Sequence, residues 1–299
     1  MAAPRFFDTH CHVHELEVAT SPMYSKWQGG TGPQTAKNVL EAARHAGVTG
    51  MIAIGTTLAD SERAVQFAQN HDTVWAAIGL HPHEAKNYIT PQKLLREDCP
   101  PKVGLTVVGS VVERFGQLAR ESRVVAVGEC GLDYFYGHSS PAEQEAVLRF
   151  QIELALEHKL PLSFHVRSGA SQGRPRHAYT DFWRIFDSYR GVRGVLHSFT
   201  DTPENLARAL ERGLYIGVNG IATFTRDETQ LVTYRTIPQH SLLLETDAPF
   251  LTPKPFRGKV CEPKHVVHTA EFLAALRGET LTQLAASTLK NGQTLFNHI

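Results

Sequence analysis

The chain lacks any excess of charge: its 299 residues hold 30 Lys and Arg against 30 Asp and Glu. A neutral chain spreads no long-range basic field, so contact with nucleic acid has to come from a local patch. Cysteine is scarce, with Cys11, Cys99, Cys130 and Cys261 scattered and never in C-x-x-C spacing. That excludes a disulfide framework and a structural zinc knuckle, and it fits a reducing compartment. No run of about 18 apolar residues is present, so no membrane span is expected. The N-terminus reaches Asp8 without the apolar core of a signal peptide. The expectation is a cytoplasmic protein, with a monomer as the default state. No Gly-x-Gly-x-x-Gly follows any strand-like segment, which argues against a dinucleotide-binding open sheet. No linker, repeat or low-complexity tract divides the chain.

Histidine, in contrast, is abundant, with 16 residues. In Asp8-Thr9-His10-Cys11-His12, the two histidines at i and i+2 point to one face of an extended segment. Two imidazoles so placed can grip one divalent cation. Asp8 shares their face and can orient an imidazole, whereas Cys11 faces the other way and packs.

Short apolar runs recur along the chain at 5–12, 48–55, 74–80, 124–127, 160–164, 194–196, 214–218 and 242–244. Helical or loop segments separate them: 34–45, 60–70 capped by Asp60, 108–121, 141–158 capped by Ser140, 179–189, 203–213, 226–236, 263–276 and 280–297. The segment 90–101 reads as irregular or a short helix, and 168–177 as a Gly/Ser/Arg loop. Tyr24 and Trp27, in the loop before Pro33, either cover a site or pack on the scaffold. Near-continuous apolar strands are those of a parallel sheet covered on both faces. Eight strand–helix units predict an α/β fold, a single-domain (β/α)8 TIM barrel over residues 1–299. A doubly wound open sheet is the alternative.

In such a barrel the carboxyl ends of the strands open onto one face, where active sites sit. The first strand ends in His10 and His12, the third in His81 and His83, the fourth in Glu129. The fifth ends in His165, the sixth in His197 and the eighth in Asp247. These are too many ligands for one tetrahedral ion. Two divalent ions bridged by a carboxylate would use them all, with Glu129 as the bridge. One ion would take His10, His12, Glu129 and Asp247, the other Glu129, His165 and His197. Nitrogen and oxygen donors together suit zinc or manganese, and magnesium less well. Asp247 can also act as a general base toward water. Glu245 is either a support for the ligands or a buried structural carboxylate. His83, preferred over His81, Tyr134 and Arg167 are candidate substrate contacts, with Asp133 beside them.

The stretches around these residues carry a family likeness. They are Asp8-Thr9-His10-Cys11-His12, Gly79-Leu80-His81-Pro82-His83, Gly128 to Tyr134, His165-Val166-Arg167, His197-Ser198-Phe199, Glu245 to Leu251, and Arg257 to Pro263. Together they resemble the TatD family of metal-dependent hydrolases, in order and over nearly the whole chain. The resemblance implies an amidohydrolase-type barrel with ligands at His10, His12, Glu129, His165, His197 and Asp247. It also implies deoxyribonuclease activity, often as a 3′-to-5′ exonuclease supported by magnesium or manganese. The sequence departs from the family after His165-Val166-Arg167, where Ser168-Gly169-Ala170 replaces the usual Asp-Ala. The substrate contact there is left open.

The leading expectation is hydrolysis of DNA phosphodiesters, at single-stranded ends. Arg167, Arg174, Arg176, Lys254, Arg257, Lys259 and Lys264 would ring the mouth with positive charge. Tyr134, Phe135 and Tyr136 offer faces for unpaired bases. The alternative is hydrolysis of an amide or carboxylic ester, including an aminoacyl ester, on the same barrel. A third possibility is a metal-binding protein without catalysis, against which the full ligand set argues.

Overall fold

The computed structural model describes residues 3–30, 33–94, 102–171, 174–297 and 299. Its main sheet contains eight strands, lying in chain order. They are β1 (Phe6–Cys11), β2 (Val48–Ile54), β3 (Val74–Ile78), β4 (Val124–Asp133), β5 (Leu162–Arg167), β6 (Gly194–Leu196), β7 (Tyr215–Val218) and β8 (Leu242–Leu244). Every neighbouring pair is parallel. The edges meet through a parallel bridge between Cys11 and Ala248. There Asp247 N donates to His10 O, and His12 N to Ala248 O, each at 2.8 Å. The sheet is therefore a nearly closed (β/α)8 barrel with helices around it.

Two buried apolar clusters hold this shell together. The larger joins strand residues such as Met51, Ala76, Val127 and Phe164 to helix residues such as Phe115, Leu148, Phe182 and Leu273. The smaller joins Phe7, Ile52, Ile54, Ala77, Val195 and Leu243 to Leu295 and Phe296 of the last helix, Leu281–Phe296. Strands buried on both faces explain why their sequences read as apolar runs rather than as alternation. The helix Pro141–His158 starts as its sequence predicts. Ser140 and Glu143 form a reciprocal capping box, with Pro at the first position.

Several local expectations are corrected. Thr57, not Asp60, caps Leu58–Asn70; its hydroxyl accepts from Asp60 N at 3.1 Å. The Asp60 carboxylate is instead drawn to His14 Nε2 at 2.9 Å. Within the loop before Pro33 a short helix, Pro22–Trp27, brings Trp27 into the core, where Nε1 donates to His12 O at 3.2 Å. Trp27 thus packs on the scaffold. Residues Ile89–Leu94 and Lys102–Val107 pair as antiparallel strands, where 90–101 was expected to be irregular or a short helix. Period-two alternation in Val103-Gly104-Leu105-Thr106-Val107 was the available signal. Residues 95–101, Cys99 among them, lie outside the described residues. A second small hairpin pairs Gly169–Ser171 with Arg174–Arg176 in the stretch expected to be a loop.

Close packing of β3 on β4 is what sets the height of Glu129. A Cβ on Gly79 would stand 2.3 Å from the Gly128 carbonyl carbon and 2.6 Å from Glu129 N. Gly79→Ala therefore has to push the two strands apart at the site. The expected cost is about 1–3 kcal/mol, typical of overpacking, read as a lower midpoint in urea. A wild-type midpoint would contradict this close approach.

Candidate metal centre and active site

The carboxyl ends of the strands enclose a cavity of about 710 Å³, lined by His12, His81, His83, Glu129, His165, His197 and Asp247 among others. His10 lies beneath, fully buried. His10 Nε2 is 3.5 Å from Glu129 Oε2 and 3.7 Å from Asp247 Oδ1. His12 Nε2 is 3.4 Å from Asp247 Oδ1, and His197 Nε2 is 3.8 Å from Glu129 Oε1. The His10 and His197 rings stack with centroids 3.5 Å apart.

Backbone and carboxylate partners aim these rings. His12 Nδ1 donates to Ile54 O at 3.0 Å, because a carbonyl can only accept. Its Nε2 is thereby turned toward the cavity and Asp247. His197 Nδ1 lies 3.0 Å from Glu245 Oε1, with Nε2 turned toward Glu129. Glu245 fits tightly: a Cβ on Gly217 would stand 2.3 Å from Glu245 Oε2. Asp8, expected to orient an imidazole, touches no ring. It accepts from Thr246 N at 2.9 Å, Thr246 Oγ1 at 2.5 Å and His10 N at 3.3 Å, tying β1 to the chain after β8. Asp247 and Ser198 turn the chain with left-handed φ of 58° and 50°.

His165 differs from the other rings. Its Nδ1 is 2.8 Å from Glu129 Oε1 and its Nε2 is 2.9 Å from Asp133 Oδ2. The groups close enough to share an ion are His10–His12–Asp247, His10–Glu129–His197 and His81–Glu129–His165. All six expected ligands are thus brought together, with His165 grouped beside His81 rather than His197. His81 Nε2 approaches Glu129 Oε1 at 3.6 Å, while His83 Nε2 lies 3.2 Å from Asp133 Oδ2. His81 accordingly stands beside Glu129, and His83, which sequence reasoning preferred, beside Asp133. Cys11 is buried, with its thiol 3.5 Å from Ile52 O.

Burial and charge pull the titratable groups in opposite directions. Burial pushes Glu129 up, but the imidazoles of His81, His10 and His165 outweigh it and hold the carboxyl well below its usual range. Burial likewise raises Asp247, and His12, His197 and His10 more than offset it. Burial lowers His12 and His197, yet Asp247 lifts the first to about 9 and Glu245 the second to about 10. Burial dominates at His81, which drops to about 3.

Two buried glutamines support the site from outside, and sequence reasoning missed both. Gln151 accepts from Leu80 N at 2.8 Å and donates to Leu80 O at 3.0 Å, fixing the turn before His81. Gln144 accepts from Asp133 N at 2.8 Å and donates to Asp133 O at 2.9 Å. Polar residues at core-facing positions of Pro141–His158 were the available signal. Tyr134 is corrected as a substrate contact: it is buried, and its hydroxyl donates to Asp181 Oδ2 at 2.9 Å. Tyr136 lines the cavity in its place. Arg167 lines it too, but the expected basic ring does not form among the described residues. Lys264 pairs with Glu262 at 2.6 Å, and Arg257 stacks over Phe224 at 3.6 Å. Lys254, Lys259 and Arg176 are absent from the lining, and the Arg174 side chain lies outside the described residues. A further buried group, His14–Glu15–Asp60, is already occupied by a cation, since Arg63 reaches both carboxylates at 3.0 Å.

An eight-stranded parallel barrel with histidines and carboxylates gathered at its mouth has the architecture of a metal-dependent hydrolase. Comparison with known proteins gives the family. The family model described as TatD related DNase matches residues 7–297. The 3′-5′ ssDNA/RNA exonuclease TatD of Citrobacter koseri is 34% identical over 267 residues, spanning 87% of this chain and 92% of that protein. Its counterpart in Shigella flexneri is 32% identical, spanning 89% and 95%. Among solved structures, a TatD homologue from Escherichia coli superposes with a TM-score of 0.76 at 27% identity, covering 99% of each chain. The chain belongs to the TatD family.

The family implies divalent ions, and the residues fit them. His10 Nε2 is a buried nitrogen with no hydrogen-bond partner. Its separations from Glu129 and Asp247, 3.5 and 3.7 Å, exceed hydrogen-bond length. They are close to the about 3.4 Å between ligands that each sit about 2.1 Å from a tetrahedral ion. Glu245 acts on this geometry through His197. Glu245→Gln is expected to weaken metal retention about 10- to 100-fold, measured by equilibrium dialysis against a chelator. Unchanged retention would remove Glu245 from the support of the site.

Proposed function

We propose that residues 1–299 act as one domain, a two-metal-dependent deoxyribonuclease removing nucleotides from the 3′ end of single-stranded DNA. The observation carrying this reading is the convergence of the His10, His12 and His197 Nε2 atoms on the Glu129 and Asp247 carboxylates. His10, His12 and Asp247 would hold one ion. Glu129 would bridge to a second, held with His165 and His197. Divalent ions bound there supply Lewis-acid polarisation of a phosphoryl oxygen and a lowered pKa for water. The imidazole-rich donor set supports manganese or zinc over magnesium.

The chain's own residues do the rest. Asp247, held as a carboxylate, takes the proton from the attacking water as general base. Arg167 meets a phosphate oxygen with a fixed positive charge. His83, at the cavity edge beside Asp133, faces the leaving group. The names of the relatives, which specify single-stranded DNA and RNA and 3′-5′ polarity, support the substrate class and the direction. A reducing cytoplasm suits Cys11, Cys130 and Cys261, all free and buried. Among the described residues no helix is long and apolar enough to cross a membrane.

The test is digestion of a 5′-labelled single-stranded oligonucleotide by protein stripped of metal and reloaded with magnesium, manganese or zinc. A ladder shortening from the 3′ end is expected. Asp247→Asn should slow it by about 10²- to 10⁴-fold, the usual contribution of a general base, and Glu129→Ala should abolish it. No cleavage with any metal, or an equal ladder from the variants, would withdraw the nuclease reading.

A further inference from the structure

Exposed large apolar side chains are few among the described residues, and two of them stand together at the mouth. Phe135 and Tyr136 are each 54% exposed, on the loop that leaves β4 directly after Asp133. Aromatic rings left in water beside a polar site call for an occupant. Tyr136 lines the same cavity as the candidate ligands. The His83 ring meets its edge at 5.2 Å, and the His138 ring lies nearly parallel to it, 18° between planes and 5.8 Å between centroids. The Arg167 guanidinium sits 4.1 Å over the Phe135 ring and 5.1 Å from that of Tyr136.

The loop is held rigidly relative to the chemistry. Asp133 Oδ1 accepts from Phe135 N at 2.9 Å and Tyr136 N at 3.1 Å. Its Oδ2 holds His165 Nε2 at 2.9 Å. One carboxylate therefore sets the distance between the aromatic rim and the ring beside Glu129. The strand of the small hairpin supports the loop from the other side. A Cβ on Gly169 would stand 2.2 Å from Tyr134 O, so backbone packs on backbone there.

We propose that Tyr136, with Phe135 and Arg167, forms a nucleobase subsite that seats the unpaired base of the terminal nucleotide. The proposal rests on the nuclease reading and names how its substrate is held. The two rings stand nearly perpendicular, 83° between planes, so the Tyr136 ring can take a base while the guanidinium over Phe135 meets the adjoining phosphate. Stacking is indifferent to base identity, because every base has a π-face. A base still paired in a duplex offers no free face to such a subsite, so the geometry selects single-stranded ends.

Two arms test this. The first measures KM and kcat for removal of the 3′-terminal residue from oligonucleotides ending in either thymidine or an abasic tetrahydrofuran. Tyr136→Ala should raise KM for the thymidine end about tenfold, within the range for loss of one base–aromatic stack, with kcat changing less. Tyr136→Phe should restore it, and the abasic end should erase the difference between wild type and Tyr136→Ala. The second arm measures anisotropy of the same labelled oligonucleotides in the Glu129→Ala background, which requires no cleavage. The same tenfold loss, confined to the base-bearing end, is expected. If Tyr136→Ala leaves KM and binding at wild-type values, or penalises both ends equally, the subsite is overturned. Absence of cleavage by wild type would sink the nuclease reading, while the anisotropy arm would still decide the subsite.

Discussion

The site depends on one buried negative charge. Glu129 sits within β4 with 5% of its surface exposed, a position in which an unpaired carboxylate would be severely unfavourable. Imidazoles from β1, the β3 turn, β5 and the end of β6 surround it: His10, His81, His165 and His197. Three of these are in turn fixed by a neighbour that is not itself at the centre. Ser163 stands by His10, Asp133 by His165 and Glu245 by His197. Removing any one support leaves a buried charge or a misdirected ring, so the arrangement acts as a unit.

The barrel supplies this unit with geometry that loops alone would not. His10 and Glu129 sit within strands, and closure of β1 against the chain after β8 brings Asp247 beside His12. The outer layer contributes as well. Helix Pro141–His158 reaches inward with Gln144 and Gln151 and fixes the turns carrying Asp133 and His81. The rim, by contrast, is built from a loop and a small hairpin. The stretch after Arg167 forms a hairpin packed on the Tyr134–Phe135 backbone, and Arg167 itself turns its charge over aromatic rings.

Much of this was legible in the sequence because strand ends in a parallel barrel share one face. Apolar runs marked the strands, and the polar residue after each run marked the mouth. That reasoning located His10, His12, Glu129, His165, His197 and Asp247 at one place. It misassigned residues whose roles depend on contacts distant in sequence. Asp8 bonds to Thr246 across the barrel seam, and Tyr134 turns inward to Asp181 rather than outward. The basic residues after β8 were counted as a ring at the mouth, but ion pairing and stacking direct Lys264 and Arg257 elsewhere. The cap of Leu58–Asn70 was misplaced by three residues because Thr57 and Asp60 are both good caps, and Asp60 is instead engaged by His14, Thr56 and Arg63.

The central claim is that the strand ends form one site for two ions, with Glu129 between them. Its most direct test is to count ions. Protein stripped by a chelator, dialysed against manganese and measured by elemental analysis should retain two ions per chain. Glu129→Ala, confirmed as folded by circular dichroism, should retain fewer. A wild-type protein that holds one ion or none, or a Glu129→Ala protein that still holds two, would contradict the account.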